Sequence, residues 1–313
     1  MNTGNDVEAV ITSFNQKSMI YDAVHSLCRQ TFKPKRIIIS DDGTTDETSV
    51  KILNELEADC RLPVPLQIIR QPNRGVSAAR NTGIRQTQAP LVLVLDGDDC
   101  LEASFIEEVR HILSEHPFMV AASSWMHTFG VLEADVHPTG GDAAAFLSHN
   151  CCPATHIFRR EAWQQCGGYD ETMRSGFEDW DFFLNMLEAV PNTYIGIVEK
   201  PLINYRTAPA SPNIKSMEKR LSIMRYMIEK HIGIYKEHIM DAVLGVESIS
   251  MARLYGWESE MIHAKLNGRS FSSLSDEFMK SPSYGDGGMA SAVRIASAHP
   301  QLPVSSGDVL YKH

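Results

Sequence analysis

The chain has 313 residues, 43% hydrophobic and 22% charged, with 29 basic and 39 acidic side chains and a formal net charge of −10. This suits two average domains or one large α/β domain with an appendage, and excludes a disordered tail or a collagen-like fibre. The acidity is uneven: residues before Ser211 carry 17 basic and 28 acidic side chains, and those from Ser211 onward carry 12 and 11. A phosphate-tracking nucleic-acid surface shows the opposite sign. Clustered acids more often hold divalent metals or do acid–base work.

Met1 to Asp6 has no basic n-region and no apolar h-region, so no secretory leader is expected. The longest apolar run, Ala89 to Leu95, is too short to span a bilayer. Six cysteines (Cys28, Cys60, Cys100, Cys151, Cys152, Cys166) show no C-x-x-C spacing and read as reduced thiols. The expectation is a cytoplasmic enzyme without an integral membrane segment.

In chain order, strand and helix patterns alternate. Val7 to Phe14 is a β-branched strand, followed by Ile20, Ala23, Val24, Leu27 and Cys28 at helical spacing. Arg36 to Ser40 holds three consecutive isoleucines, as in a strand covered on both faces. Asp46 and Glu47 open a helix carrying Val50, Leu53 and Leu56, with Thr44 and Glu47 at capping-box spacing. Leu66 to Ile69 reads as a strand, Ala78 to Gln86 as a helix and Leu91 to Leu95 as a strand. A helix through Phe105, Ile106, Val109, Ile112 and Leu113 leads to a strand over Met119 to Trp125. This alternation predicts a mostly parallel sheet flanked by helices, with ligands at the carboxyl ends of its strands.

Beyond Trp125 the pattern loosens, with a helix near Phe182 to Ala189. Ser216 to about Ala264 reads as helical, with Leu221, Met224, Ile228 and Ile232 along one face. From Arg269 onward Ser and Gly dominate. The expected organisation is a catalytic domain over 1–210, a helical extension over 211–268 and a mobile tail over 269–313. No phosphate loop G-x-x-x-x-G-K-[ST], no G-x-G-x-x-G and no H-E-x-x-H occurs, which argues against P-loop enzymes, nicotinamide dehydrogenases and zincins.

Two acidic clusters follow predicted strands: Asp41-Asp42-Gly43 and Asp96-Gly97-Asp98-Asp99. Each alone is compatible with turn chemistry, but two at one sheet edge crowd like charge where a hard cation such as Mg²⁺ or Mn²⁺ would relieve it. Asn73-Arg74-Gly75 leads to Ala79-Arg80-Asn81-x-Gly83, whose Arg80 can pair with a carboxylate or phosphate or simply face solvent. In Gly176-Phe177-Glu178-Asp179-Trp180-Asp181, Ser175 and Glu178 have capping-box spacing, so Glu178 reads as a cap. Asp179, among Phe177, Trp180 and Phe182, suits a partly dry general base.

In this order and spacing the segments resemble the family-2 glycosyltransferases with the GT-A fold of nucleotide-diphospho-sugar transferases. Thr12-Ser13-Phe14-Asn15 is similar to the family's first-strand turn, and Asp41-Asp42-Gly43-Thr44-Thr45-Asp46 to its D-D-G-S-T-D segment. Asn73 to Gly83 is similar to its N-x-G-x-x-x-A-R-N-x-G element, and Asp96-Gly97-Asp98-Asp99 to its D-x-D-D metal motif. Gly167-Gly168-Tyr169-Asp170 and Glu178-Asp179 resemble its G-G-F-D and E-D motifs. The likeness covers about residues 7 to 206.

The resemblance implies a Rossmann-like α/β fold and an inverting, metal-dependent transfer from a nucleoside-diphosphate sugar, UDP by family habit. Thr12, Phe14, Asn15, Asp42, Arg80, Asp96 and Asp98 would bind the donor, Asp99 with Asp98 would hold Mn²⁺ or Mg²⁺, and Asp179 would deprotonate the acceptor. Glu178, His156 and Trp180 are candidates for the acceptor site, although a lone histidine such as His156 is more often structural. Where family members carry Tyr-Arg-x-His, this chain has Tyr205-Arg206-Thr207-Ala208. The Gln-x-x-Arg-Trp signature of processive synthases is absent. Implied partners are the nucleotide sugar and a glycan, lipid-linked glycan, peptide or small-molecule acceptor, with no nucleic acid. The 216–264 helices leave room for a homodimer or for a peripheral contact at the inner face of a membrane. Two other readings stand beside this one: a sugar nucleotidyltransferase, and a catalytically dead donor-binding module.

Overall fold

A computed structural model of the chain describes residues 6–209, 212–267 and 273–298. The first half runs β1 (Val7–Ser13), α1 (Met19–Cys28), β2 (Ile37–Asp41), α2 (Glu47–Ala58), β3 (Leu66–Arg70), α3 (Val76–Gln86) and β4 (Leu91–Asp96). The middle adds β5 (Cys100–Leu101), α4 (Phe105–Glu115), β6 (Met119–Gly130), β7 (Ala134–Val136), β8 (His156–Arg159), α5 (Arg160–Cys166), α6 (Glu178–Ala189) and β9 (Tyr194–Thr207). The C-terminal part is helical: α7 (Pro212–Glu218), α8 (Arg220–Lys230), α9 (Ile232–Glu237), α10 (Ile239–Asn267), α11 (Ser273–Lys280) and α12 (Gly288–Ala298).

Among the described residues one sheet runs β3-β2-β1-β4-β8-β6-β9-β5, with β7 paired to β6. The β3-β2-β1-β4 side is parallel, while β8 runs antiparallel to both β4 and β6. The period of two along each strand sends alternate side chains into two separate cores. Val7, Ala9, Ile11, Ile37, Ile39, Leu93 and Leu95 enter one, and Val10, Ile38, Val92 and Val94 the other. This is why the isoleucine run is unbroken: each side chain has a covered face, worth about 1.5–3 kcal/mol when fully buried.

Four expectations change. Asp46, not Thr44, caps α2, because its carboxylate accepts from Ser49 N–H at 2.8 Å. Glu178 is the first residue of α6 and not a third-position cap; the residue before it, Phe177, has φ 67° and makes no side-chain cap bond. Leu221, Ile228 and Ile232 face solvent, Leu221 being 87% exposed, whereas Ile223 and Met227 are buried. His231 both ends α8 and starts α9, so the helical period does not carry through the segment. The fourth concerns the tail. Within residues 273–298 two helices form, and Ala292 and Val293 of α12 pack on Leu132 and Ala134 beside β7. Alanine-rich helices bury small side chains, which makes their apolar face faint in a hydropathy pattern. The rest of 269–313 lies outside the described residues.

Candidate active site

The strand ends gather the acids. Thr12 lies in register with Asp96 across β1 and β4, and its hydroxyl donates to Asp96 Oδ1 at 2.8 Å. Arg80 of α3, buried, donates through Nη2 to both Asp96 oxygens at 2.9 and 3.1 Å. Burial pushes the Asp96 carboxyl upward, but the Arg80 guanidinium and the Thr12 hydroxyl hold it below its ordinary range. Arg80 thus takes the carboxylate option and braces the turn. Gly97 is required at that turn, since a Cβ there would stand 2.6 Å from Thr12 O.

Among the described residues Asp98 and Asp99 form no such ion pair, and the charge that lowers them is that of Arg206 nearby. Asp99 is buried, with Oδ1 accepting the Arg206 N–H at 2.8 Å. Burial and the neighbouring Asp98 push its carboxyl far above the usual range, while burial and Asp96 push Asp98 up to about 6. Arg206 steadies the turn by donating from Nε to Asp98 O at 2.9 Å and from Nη2 to Asp22. Two crowded carboxylates with oxygen donors only suit a hard divalent cation that draws its remaining ligands from phosphate. Among the described residues, no three His, Cys, Asp or Glu side chains form a metal cluster by themselves.

Asp42, at the end of β2, already accepts from Gln71 Nε2, Arg74 N–H and Gly75 N–H at 2.7 to 2.9 Å, and so shapes the turn into α3. Phe14 beside it is 46% exposed. At the start of α6, Glu178 Oε1 accepts from Gly176 N–H at 3.2 Å and Asp179 Oδ2 accepts from Asn150 Nδ2 at 2.9 Å. Burial raises both carboxyls; for Asp179 the Arg80 charge, backbone N–H groups and Asn150 oppose it.

A cavity of about 700 Å³ brings these together, lined by Thr12, Phe14, Asp42, Arg80, Asp96, Asp98, Asp99, Glu178, Asp179 and Trp180. The Trp180 ring is otherwise buried, its Nε1 donating to Phe146 O at 2.6 Å. Two sequence candidates do not line the cavity. Asn15 turns inward with φ 55°, and its Oδ1 accepts from Thr45 and Asp46 N–H, so it fixes the turn before α2. His156 is fully buried on β8 with its ring 4.7 Å from Phe183, and burial lowers its pKa to about 3. It is a neutral core residue and not an acceptor group.

Sequence reasoning missed Asn150, Arg220, Tyr284 and Met289, which also line the cavity. Arg220 lies over the Phe177 and Trp180 rings at 5.3 and 5.6 Å. A signal for the last stretch was present: Met289, Ala292, Val293 and Ala296 follow helical spacing after a Gly-rich turn. Ala208 also forms part of the wall. Among the described residues no helix is long and apolar enough to cross a membrane.

Known proteins resemble this chain in sequence and in fold. An uncharacterized glycosyltransferase of Rickettsia conorii is 30% identical over 119 residues, covering 38% of this chain and 19% of that protein. A chondroitin synthase of Escherichia coli is 25% identical over 264 residues, covering 80% of this chain and 36% of its own length. The chain thus spans well under half the length of these relatives. The structure of S. aureus TarS residues 1–349 in complex with UDP-GlcNAc superposes with a TM-score of 0.55 at 17% identity, covering 71% of this chain and 66% of that one. That likeness shows the GT-A fold. The sequence pattern described as "Glycosyl transferase family 2" matches residues 8–167, just over half of the chain. The chain therefore belongs to glycosyl transferase family 2.

Proposed function

We propose that the chain transfers a sugar from a UDP-sugar to an acceptor hydroxyl, with inversion at the anomeric carbon. The observation that carries this reading is the single cavity that collects Thr12, Phe14 and Asp42 from two strand ends, Asp96 to Asp99 from a third and Asp179 from α6. UDP-GlcNAc in the complex of the structurally similar TarS supports a UDP-sugar donor. The exposed Phe14 ring offers a stacking face for the base, with Thr12 and Asp42 beside it. A divalent cation held by Asp98 and Asp99 would neutralise the diphosphate leaving group. Arg80 keeps Asp96 ionised and the turn rigid.

Asp179 accepts the proton of the acceptor hydroxyl as its oxygen attacks the anomeric carbon. The carbon–oxygen bond to the diphosphate breaks, and the leaving group departs with the electron pair. Burial raises the Asp179 pKa, which makes it a stronger base than an exposed aspartate. Ala208 in the cavity wall, where the family resemblance expects histidine, favours a second reading: a donor-binding module without turnover. The test is a screen of UDP-glucose, UDP-galactose, UDP-GlcNAc and UDP-glucuronate with Mn²⁺, reading UDP release and thermal shift. Release from one of them, sharply reduced in Asp179→Asn, is expected; shift without release selects the second reading.

A further inference from the structure

Asp179 is held from a direction that neither its own helix nor the sheet supplies. Asn150, buried on the loop before β8, accepts the Cys152 N–H on its Oδ1 at 3.2 Å. That bond fixes which end of the amide is which, so the NH₂ group faces Asp179 and donates to Oδ2. Tyr284, from the stretch before α12, donates from its hydroxyl to Cys152 O at 3.0 Å and stands 3.5 Å from Asn150 Nδ2. The next residue seats directly on the Asn150 backbone: a Cβ on Gly285, at φ 74°, would meet Asn150 O at 1.9 Å.

Resting on the reading of Asp179 as the base, we propose that Asn150 is its positioning residue, locked by the Tyr284-Gly285 stretch of the C-terminal segment. The amide can only donate to Oδ2, so it favours the ionised carboxylate. The other groups that face Asp179 are Arg80 of α3, the adjacent Glu178, and Tyr169, Cys152 and Tyr284. Arg80 alone among them carries a positive charge, so losing the Asn150 donor leaves burial less opposed.

The experiment follows UDP release to water against pH, using the UDP-sugar hydrolysed fastest in the donor screen. Asn150→Ala is expected to move the acidic limb of kcat upward by about one pH unit. UDP affinity should stay near that of the unaltered chain, while the melting temperature falls by a few degrees because the Cys152 N–H loses its acceptor. Tyr284→Phe should move the limb in the same direction by less. A lower plateau with an unmoved limb in Asn150→Ala overturns the proposal. If that variant does not fold, Tyr284→Phe decides: a shifted limb supports positioning and an unmoved limb overturns it. Full turnover in Asp179→Asn would instead remove the base reading itself.

Discussion

The sheet edge and the C-terminal helices satisfy their polar and apolar groups in different ways. At the edge, Asp42 and Asp96 are each tied by two or more donors, and the strands behind them are buried on both faces. In the helices, Leu221, Met240, Val243 and Leu244 are exposed, and the segment is anchored at a few points. One is polar: His231 lies between Asp181 of α6 and Glu188, and Lys230 joins Asp181 to Asp170 at 2.8 and 2.9 Å. Another is the apolar contact of α12 with Leu132 and Ala134. A rigid, over-determined edge thus shares one cavity with walls contributed by a sparsely anchored region. On the proposed function and the further inference, the edge would set what is bound and the sparse region how the base is presented.

The sharpest test within the cavity is Asp179→Asn, which keeps shape but cannot take a proton. Turnover is expected to fall by about 10²–10⁴ with UDP affinity retained. Loss of UDP binding in that variant would move Asp179 to the donor side. The comparison itself breaks or stands on truncation after residue 268. Met289 and Val293 are buried, each worth about 1.5–3 kcal/mol, so the shortened chain is expected to lose stability and UDP release together. A soluble truncation with full release would show that α12 and Tyr284 are dispensable.

Ligand-induced stabilisation probes the edge alone. UDP with Mn²⁺ at a hundredfold excess over Kd should add about 2.7 kcal/mol, and Asp99→Ala should abolish the metal-dependent part in a thermal-shift assay. The polar anchor has its own signature. Burial pushes the His231 pKa down, but its hydrogen bonds to Asp181 and Glu188 win and raise it above the ordinary value. Its stabilising contribution is complete below about pH 6.5 and is lost as pH rises through the raised value. Urea midpoints should therefore fall over that window, and His231→Gln should flatten the fall. The smallest effect belongs to Glu178→Gln, which keeps an oxygen for Gly176 N–H and should cost at most about 1 kcal/mol of stability.

The amino-acid sequence by itself determined the Rossmann-like half and most of the acidic site. Continuous β-branched runs can only be satisfied by a sheet covered on both faces, and acids placed just after such strands must emerge at its carboxyl edge. Asp96, Asp98 and Asp99 were legible for that reason, whereas Phe14 and Arg80 stood out through the family resemblance and Asp179 through that resemblance and its aromatic neighbours. Tertiary structure decided what depended on partners distant in the chain. His156 and Asn15 became structural because Phe183 and the Thr45 backbone claimed them. Asn150 and Tyr284 joined the site because a contact across 134 residues brings them together. Local spacing carries no trace of such a contact, since its energy arises only once the fold has closed the intervening chain.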